Sequence, residues 1–140
     1  MIPLPDERVA DRWTATGSVE ARAAADAQAN RDPEFDLETH FPHDVPQMWR
    51  SRVLAVPQRE VSDKAWTDRC EFDHRPDVAT RLLIGRDDRF FPAEFQRRVA
   101  KERLGIDGDA DEIPGGHLVA LSNPRGLADR LCEYALAAAE

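Results

Sequence analysis

Cysteine is scarce in this 140-residue chain: Cys70 and Cys132 stand far apart, with no CxxC spacing and no histidine at a zinc-finger interval. Neither a disulfide framework nor a structural zinc site is expected, and a reduced, intracellular chain is. Long apolar runs are missing too. No stretch of 18 apolar residues could span a bilayer, and Met1–Pro5 runs directly into Asp6, Glu7 and Arg8 and so does not resemble a signal peptide. A cytoplasmic protein with no membrane partner is the expectation. Basic charge is in deficit, with 19 Lys and Arg against 27 Asp and Glu for a net charge of -8. That balance repels nucleic acid and anionic lipid unless basic residues gather on one face. The densest group is Arg97, Arg98, Lys101 and Arg103; Glu94 and Glu102 interleave it at helical spacing, which reads as a solvated helix face.

With 41% hydrophobic and 33% charged residues, the composition lies on the polar side of the globular range, and the length suits one folded domain. The chain divides at about residue 75. Residues 1–75 are broken by Pro3, Pro5, Pro33, Pro42, Pro46 and Pro57, and read as loops and short helices around one longer helix over 18–30, opened by Ser18 as its cap. Residues 76–140 have a different rhythm. The run Thr80-Arg81-Leu82-Leu83-Ile84-Gly85 reads as a strand buried on both faces, with Arg81–Ile84 at its centre. Pro92–Leu104 reads as a helix with proline at its start and Gly105 beyond its end. Asp109–Ile113 is a second short strand, Pro114-Gly115-Gly116 a turn, and Pro124–Ala139 a helix capped by Asn123 with Leu127, Leu131 and Ala135 on one side. Strands alternating with helices predict an α/β fold with parallel pairing. Two strands leave sheet edges open, so this part reads as the end of a larger sheet that associates with itself or with missing strands.

Both strand-to-helix junctions carry chemistry. Gly85-Arg86-Asp87-Asp88-Arg89-Phe90-Phe91-Pro92 places two carboxylates at the carboxyl end of a strand, where open α/β sheets build their sites. Asp88 could equally cap the following helix or pair with Arg89. Ile113-Pro114-Gly115-Gly116-His117-Leu118 puts a histidine on a glycine-rich turn after the other strand. Alone, such a histidine is ordinarily structural or merely exposed; an acid and a histidine at paired junctions of one β-α-β unit suggest a shared site.

The runs GRDDRFFP and IPGGHLVALSNP, each followed by a helix, resemble the last third of α/β-hydrolases over Val78–Tyr134. In that family a GxxD motif after the seventh strand supplies the acid of a Ser-His-Asp triad, and GGH or GH after the eighth supplies its base. The resemblance therefore implies Asp88 as acid, with Asp87 as the competing candidate, and His117 as base, in the family's chain order. The first five or six strands would lie outside this chain, since Met1–Pro5 resembles the segment after the sixth. Residues 8–75 would fall where the family inserts a mainly helical cap. Trp13, Phe35, Phe41, Met48, Trp49 and Trp66 are expected there as cap core rather than substrate contacts. The family's nucleophile elbow GxSxG is missing: Ser18, Ser51, Ser62 and Ser122 lack the flanking glycines, and neither cysteine lies in an elbow. The implied activity is hydrolysis of a small-molecule carboxylic ester with no metal or organic cofactor. The competing expectation is a truncated, catalytically inactive remnant serving as a binding or interaction module.

Overall fold

The apolar run ahead of Gly85 forms strand β1 (Leu83–Gly85), which pairs in parallel with β2 (Asp111–Ile113) in the register Leu83↔Asp111, Ile84↔Glu112, Gly85↔Ile113. A computed structural model describes residues 3–57, 59–72, 74, 78–106 and 110–138 of the chain. Met1, Ile2, Arg75, Asp109 and Ala139, which enter the readings above, lie outside the described residues. β1 begins two residues later than the Arg81–Ile84 reading and ends on Gly85. A parallel strand extends only as far as its partner, and pairing opens at Asp111, whose N–H also donates to the Leu82 carbonyl at 3.0 Å.

Between the strands runs helix α6 (Ala93–Leu104), started by Pro92 and ended by Gly105 at φ 64. Its inward residues Phe95, Val99 and Ala100 join Ile84, Ile113 and Val45 as the buried apolar core among the described residues. β2 is followed by a short helix α7 (Val119–Ser122) and by α8 (Pro124–Ala137). Asn123 caps α8 as expected, its Oδ1 accepting from Gly126 N at 3.1 Å. The expected packing of α8 is not found: the helix has no buried residue, and Leu131 and Leu136 are 53% and 71% exposed. A two-stranded sheet offers too little surface to cover its apolar side.

The N-terminal segment is helical, with α1 (Arg12–Thr16), α2 (Ser18–Gln28), α3 (Leu37–His40), α4 (Gln47–Leu54) and α5 (Lys64–Thr67). Ser18 does not cap α2. Gly17, at φ 65, turns the chain between α1 and α2, and Ser18 Oγ donates back to the Trp13 carbonyl at 3.3 Å. Bulky residues here do not make the expected separate core. Met48, Trp49 and Trp66 are exposed, whereas Trp13, Phe35 and Phe41 pack against Phe90 of the C-terminal segment at 6.0, 5.7 and 4.6 Å between ring centroids. This segment is held instead by polar groups. Asp26, fully buried, accepts from Arg31 Nε at 2.8 Å and meets His40 Nε2 at 2.9 Å and Arg22 Nη1 at 3.5 Å.

Ion pairs also tie the two segments together. Arg103 grips Glu7 through both terminal nitrogens, at 2.5 and 2.8 Å, and this hydrogen bonding holds the Glu7 carboxyl below its ordinary value. Arg98 donates to the Thr16 carbonyl at 2.6 Å as well as pairing with Glu102. Arg97 pairs with Glu94 and Glu112. Most of the basic cluster on α6 is thereby matched to carboxylates, and the Arg103–Glu7 pair is nearly buried.

Candidate functional site

β1 and β2 are neighbours in parallel, so their carboxyl ends deliver the Asp88 turn and the His117 turn to one rim. Gly85 permits the approach. A Cβ on Gly85 would sit 2.8 Å from the Gly116 carbonyl oxygen and 2.9 Å from that of Gly115, inside contact distance of rigid backbone. Gly115 itself adopts φ 142, a conformation side-chain-bearing residues avoid. We expect Gly85→Ala to cost about 1–3 kcal/mol, the usual range for overpacking; a urea midpoint unchanged from the parent would show that the turn is free to move.

His117 Nδ1 lies 3.0 Å from Asp88 Oδ2. The carboxylate can only accept, so Nδ1 carries the proton, and in the neutral ring Nε2 is the nitrogen left with the lone pair. Asp88 is held from all sides. Its Oδ1 accepts from Phe90 N at 2.8 Å and Phe91 N at 2.9 Å, and its Oδ2 also accepts from Gln96 Nε2 at 3.3 Å. Asp88 therefore does not cap α6, whose N-cap position is Pro92 and which has no side-chain cap hydrogen bond. Phe41, Phe90 and Phe91 surround the imidazole edge-to-face at 4.5, 5.1 and 5.5 Å. The histidine side chain remains 23% exposed, against 8% for Asp88, and Nε2 has no hydrogen-bond partner among the described residues.

Asp87 does a different job. It is about half exposed, lies against Arg86 at 3.3 Å and accepts from Gly115 N at 3.2 Å, while its own N–H donates to the Gly115 carbonyl at 3.0 Å. The Arg86 hydrogen bond, with the Gly115 N–H, holds its carboxyl below the ordinary value against the opposing effect of burial. Asp87 thus anchors the histidine turn, and Asp88 meets the ring.

Sequence reading missed the other anchor. Asp44 Oδ2 accepts from Gly116 N at 2.6 Å, bringing the Phe41–Val45 segment onto the histidine turn, and His43 lies beside it. Burial, reinforced by the Arg89 charge, keeps His43 below its ordinary value of 6.5. The sequence signal was faint: His43-Asp44 sits between Pro42 and Pro46 with no periodicity to place it. Among the described residues no serine or threonine hydroxyl bonds His117. Ser18 Oγ is committed to Trp13, Ser51 and Ser62 are exposed, and Ser122 Oγ is buried without a partner.

No family model, curated protein or solved structure matches the chain. Among the described residues there is also no cluster of three or more His, Cys, Asp or Glu placed to hold a metal, and no helix long and apolar enough to cross a membrane.

Proposed function

We propose that this chain supplies the acid and the base of a Ser-His-Asp charge system of the α/β-hydrolase type, acting on carboxylic esters of small molecules. The nucleophile and oxyanion donors would come from polypeptide outside these 140 residues. The observation that carries the reading is the Asp88–His117 contact of 3.0 Å, with Asp88 held by three further donors and Nε2 without a partner among the described residues. In the mechanism, Nε2 takes the proton of a serine hydroxyl as its oxygen attacks the ester carbonyl. It returns that proton to the departing alcohol, and water then repeats the sequence on the acyl-enzyme. Asp88 fixes the tautomer and stabilises the imidazolium.

The chain alone is expected to show no turnover of p-nitrophenyl acetate and no fluorophosphonate labelling. Co-expression with an N-terminal α/β-hydrolase half carrying GxSxG should restore both, and His117→Ala in the co-expressed pair should remove them. Turnover by the isolated chain that survives repurification would place a nucleophile within it. Activity of the pair that is indifferent to His117→Ala would remove the histidine from the reaction.

Two exposed leucines on α8, Leu131 and Leu136, favour a second reading, an inactive interaction module. With Leu131 and Leu136 open, light scattering is expected to show concentration-dependent association that Leu136→Glu reduces. A monodisperse parent monomer at all concentrations would contradict this.

A further inference from the structure

We infer that the cleft where α1 and α2 meet the Phe90-Phe91 turn binds a small carboxylate bearing an aromatic or similarly compact apolar group. The cleft measures about 370 Å³ and is walled by Trp13, Val19, Phe35, Phe90 and Phe91, with Ser18 and Arg22 completing its lining. That volume lies within the roughly 300–1,000 Å³ typical of small-molecule sites, which pair apolar walls with a few fixed polar groups. Val19 and Phe35 are 53% and 46% exposed, so apolar surface faces open space here instead of filling it. Trp13 stacks on Phe91 at 6.0 Å and 23°, giving one flat wall against which a ring can lie.

Arg22 supplies the charge. Its side chain is only 8% exposed, yet each of its polar contacts runs through Nη1, which donates to the Pro33 carbonyl at 3.1 Å and to Asp26 Oδ2 at 3.5 Å and lies 3.3 Å from His40 Nε2, whose own proton is directed at Asp26. Nε and Nη2 have no acceptor among the described residues. Asp26 does not balance this cation alone, because its other oxygen is taken by Arg31 Nε at 2.8 Å; two guanidiniums share one carboxylate. Phe35 covers the Arg22 guanidinium, its ring centroid 5.5 Å from Cζ. A guanidinium that lines an apolar cleft and keeps two nitrogens without acceptors among the described residues matches a carboxylate, which it binds through paired hydrogen bonds.

Phe90 and Phe91 are shared between this cleft and the His117 cage, so an occupant lies one ring away from the dyad. Its role as part of a substrate rests on the proposed function; binding itself does not.

Trp13 reports the test. In the full chain carrying Trp49→Phe and Trp66→Phe, two exposed positions, it is the remaining tryptophan. Phenylacetate should change its emission saturably. Phenylacetamide and phenethylammonium should bind at least about tenfold more weakly, since a hydrogen bond to a charged group is worth about 1.5–3 kcal/mol. Acetate should show no saturable change. Val19→Glu, at an exposed wall position, should abolish phenylacetate binding, and Arg22→Lys should weaken it about tenfold by removing the fork. His117→Ala should leave binding intact, which separates this proposal from the dyad. Absence of saturable binding would overturn it, as would equal affinity for the anionic, neutral and cationic rings. So would acetate binding as tightly as phenylacetate, or indifference to Val19→Glu.

Discussion

Asp26→Ala is expected to lower the unfolding free energy by about 3–5 kcal/mol, the cost of removing one partner from a buried ion pair. Asp26 is fully buried, and its two oxygens satisfy Arg31, Arg22 and His40 at once; without it, two cations share a low-dielectric site with no anion. Asp26→Asn keeps an acceptor for one partner and should cost less. Urea unfolding read by far-UV circular dichroism measures both. A loss in Asp26→Ala near the few tenths of a kcal/mol typical of surface changes would show that water reaches the cluster. The pH dependence has a definite sign. Burial alone would raise the Asp26 carboxyl, but hydrogen bonds from His40 and Arg31, with their charges, hold it below its ordinary 3.8. The stability it contributes is present above 3.8 and is lost as pH falls through the lower folded value. His43, held below 6.5, acts in the same direction at milder acidity, because the unfolded chain takes up its proton first.

The second large effect is catalytic. In the co-expressed pair, Asp88→Asn is expected to reduce kcat roughly 10⁴-fold, the magnitude known for the equivalent change in serine proteases, with little change in KM. An amide at position 88 can direct an N–H toward His117 Nδ1. The ring must then carry its proton on Nε2, where it cannot accept one from a nucleophile. Asp87→Asn should cost far less, since Asp87 holds Gly115 and does not touch the ring. Equal losses for the two variants, or a small loss for Asp88→Asn, would contradict the assigned roles.

The site was legible where local chemistry follows chain order. Each acid and histidine junction directly follows its strand, and one parallel β-α-β unit brings them to a shared rim whatever else the chain does. An acid of the Asp87-Asp88 pair and His117 could be brought together from spacing and turn glycines; the preference for Asp88 came from the resemblance of GRDD to the GxxD motif. What surrounds them could not. Phe41, Asp44 and Trp13 come from a proline-broken region with no period, and their placement depends on tertiary contacts such as Gly116 N to Asp44 and Arg103 to Glu7. The Asp26–His40–Arg22–Arg31 cluster was invisible for the same reason: alanines around Asp26 announce a helix, but nothing announces that its acid faces inward. α8 failed differently. Its amphipathic pattern is real and its cap is correct, but the pattern specifies a face to be buried without guaranteeing a surface to bury it.

The central claim, that Asp88 fixes His117 as a base with its lone pair on Nε2, can be read directly from the imidazole nitrogens. Selectively ¹⁵N-labelled histidine in the full chain, assigned with His117→Ala and measured at a pH where the ring is neutral, distinguishes the two tautomers. The account predicts a protonated Nδ1 and an unprotonated Nε2 for His117, with loss of that preference in Asp88→Ala. A His117 ring protonated on Nε2 in the parent chain, unchanged by Asp88→Ala, would contradict it.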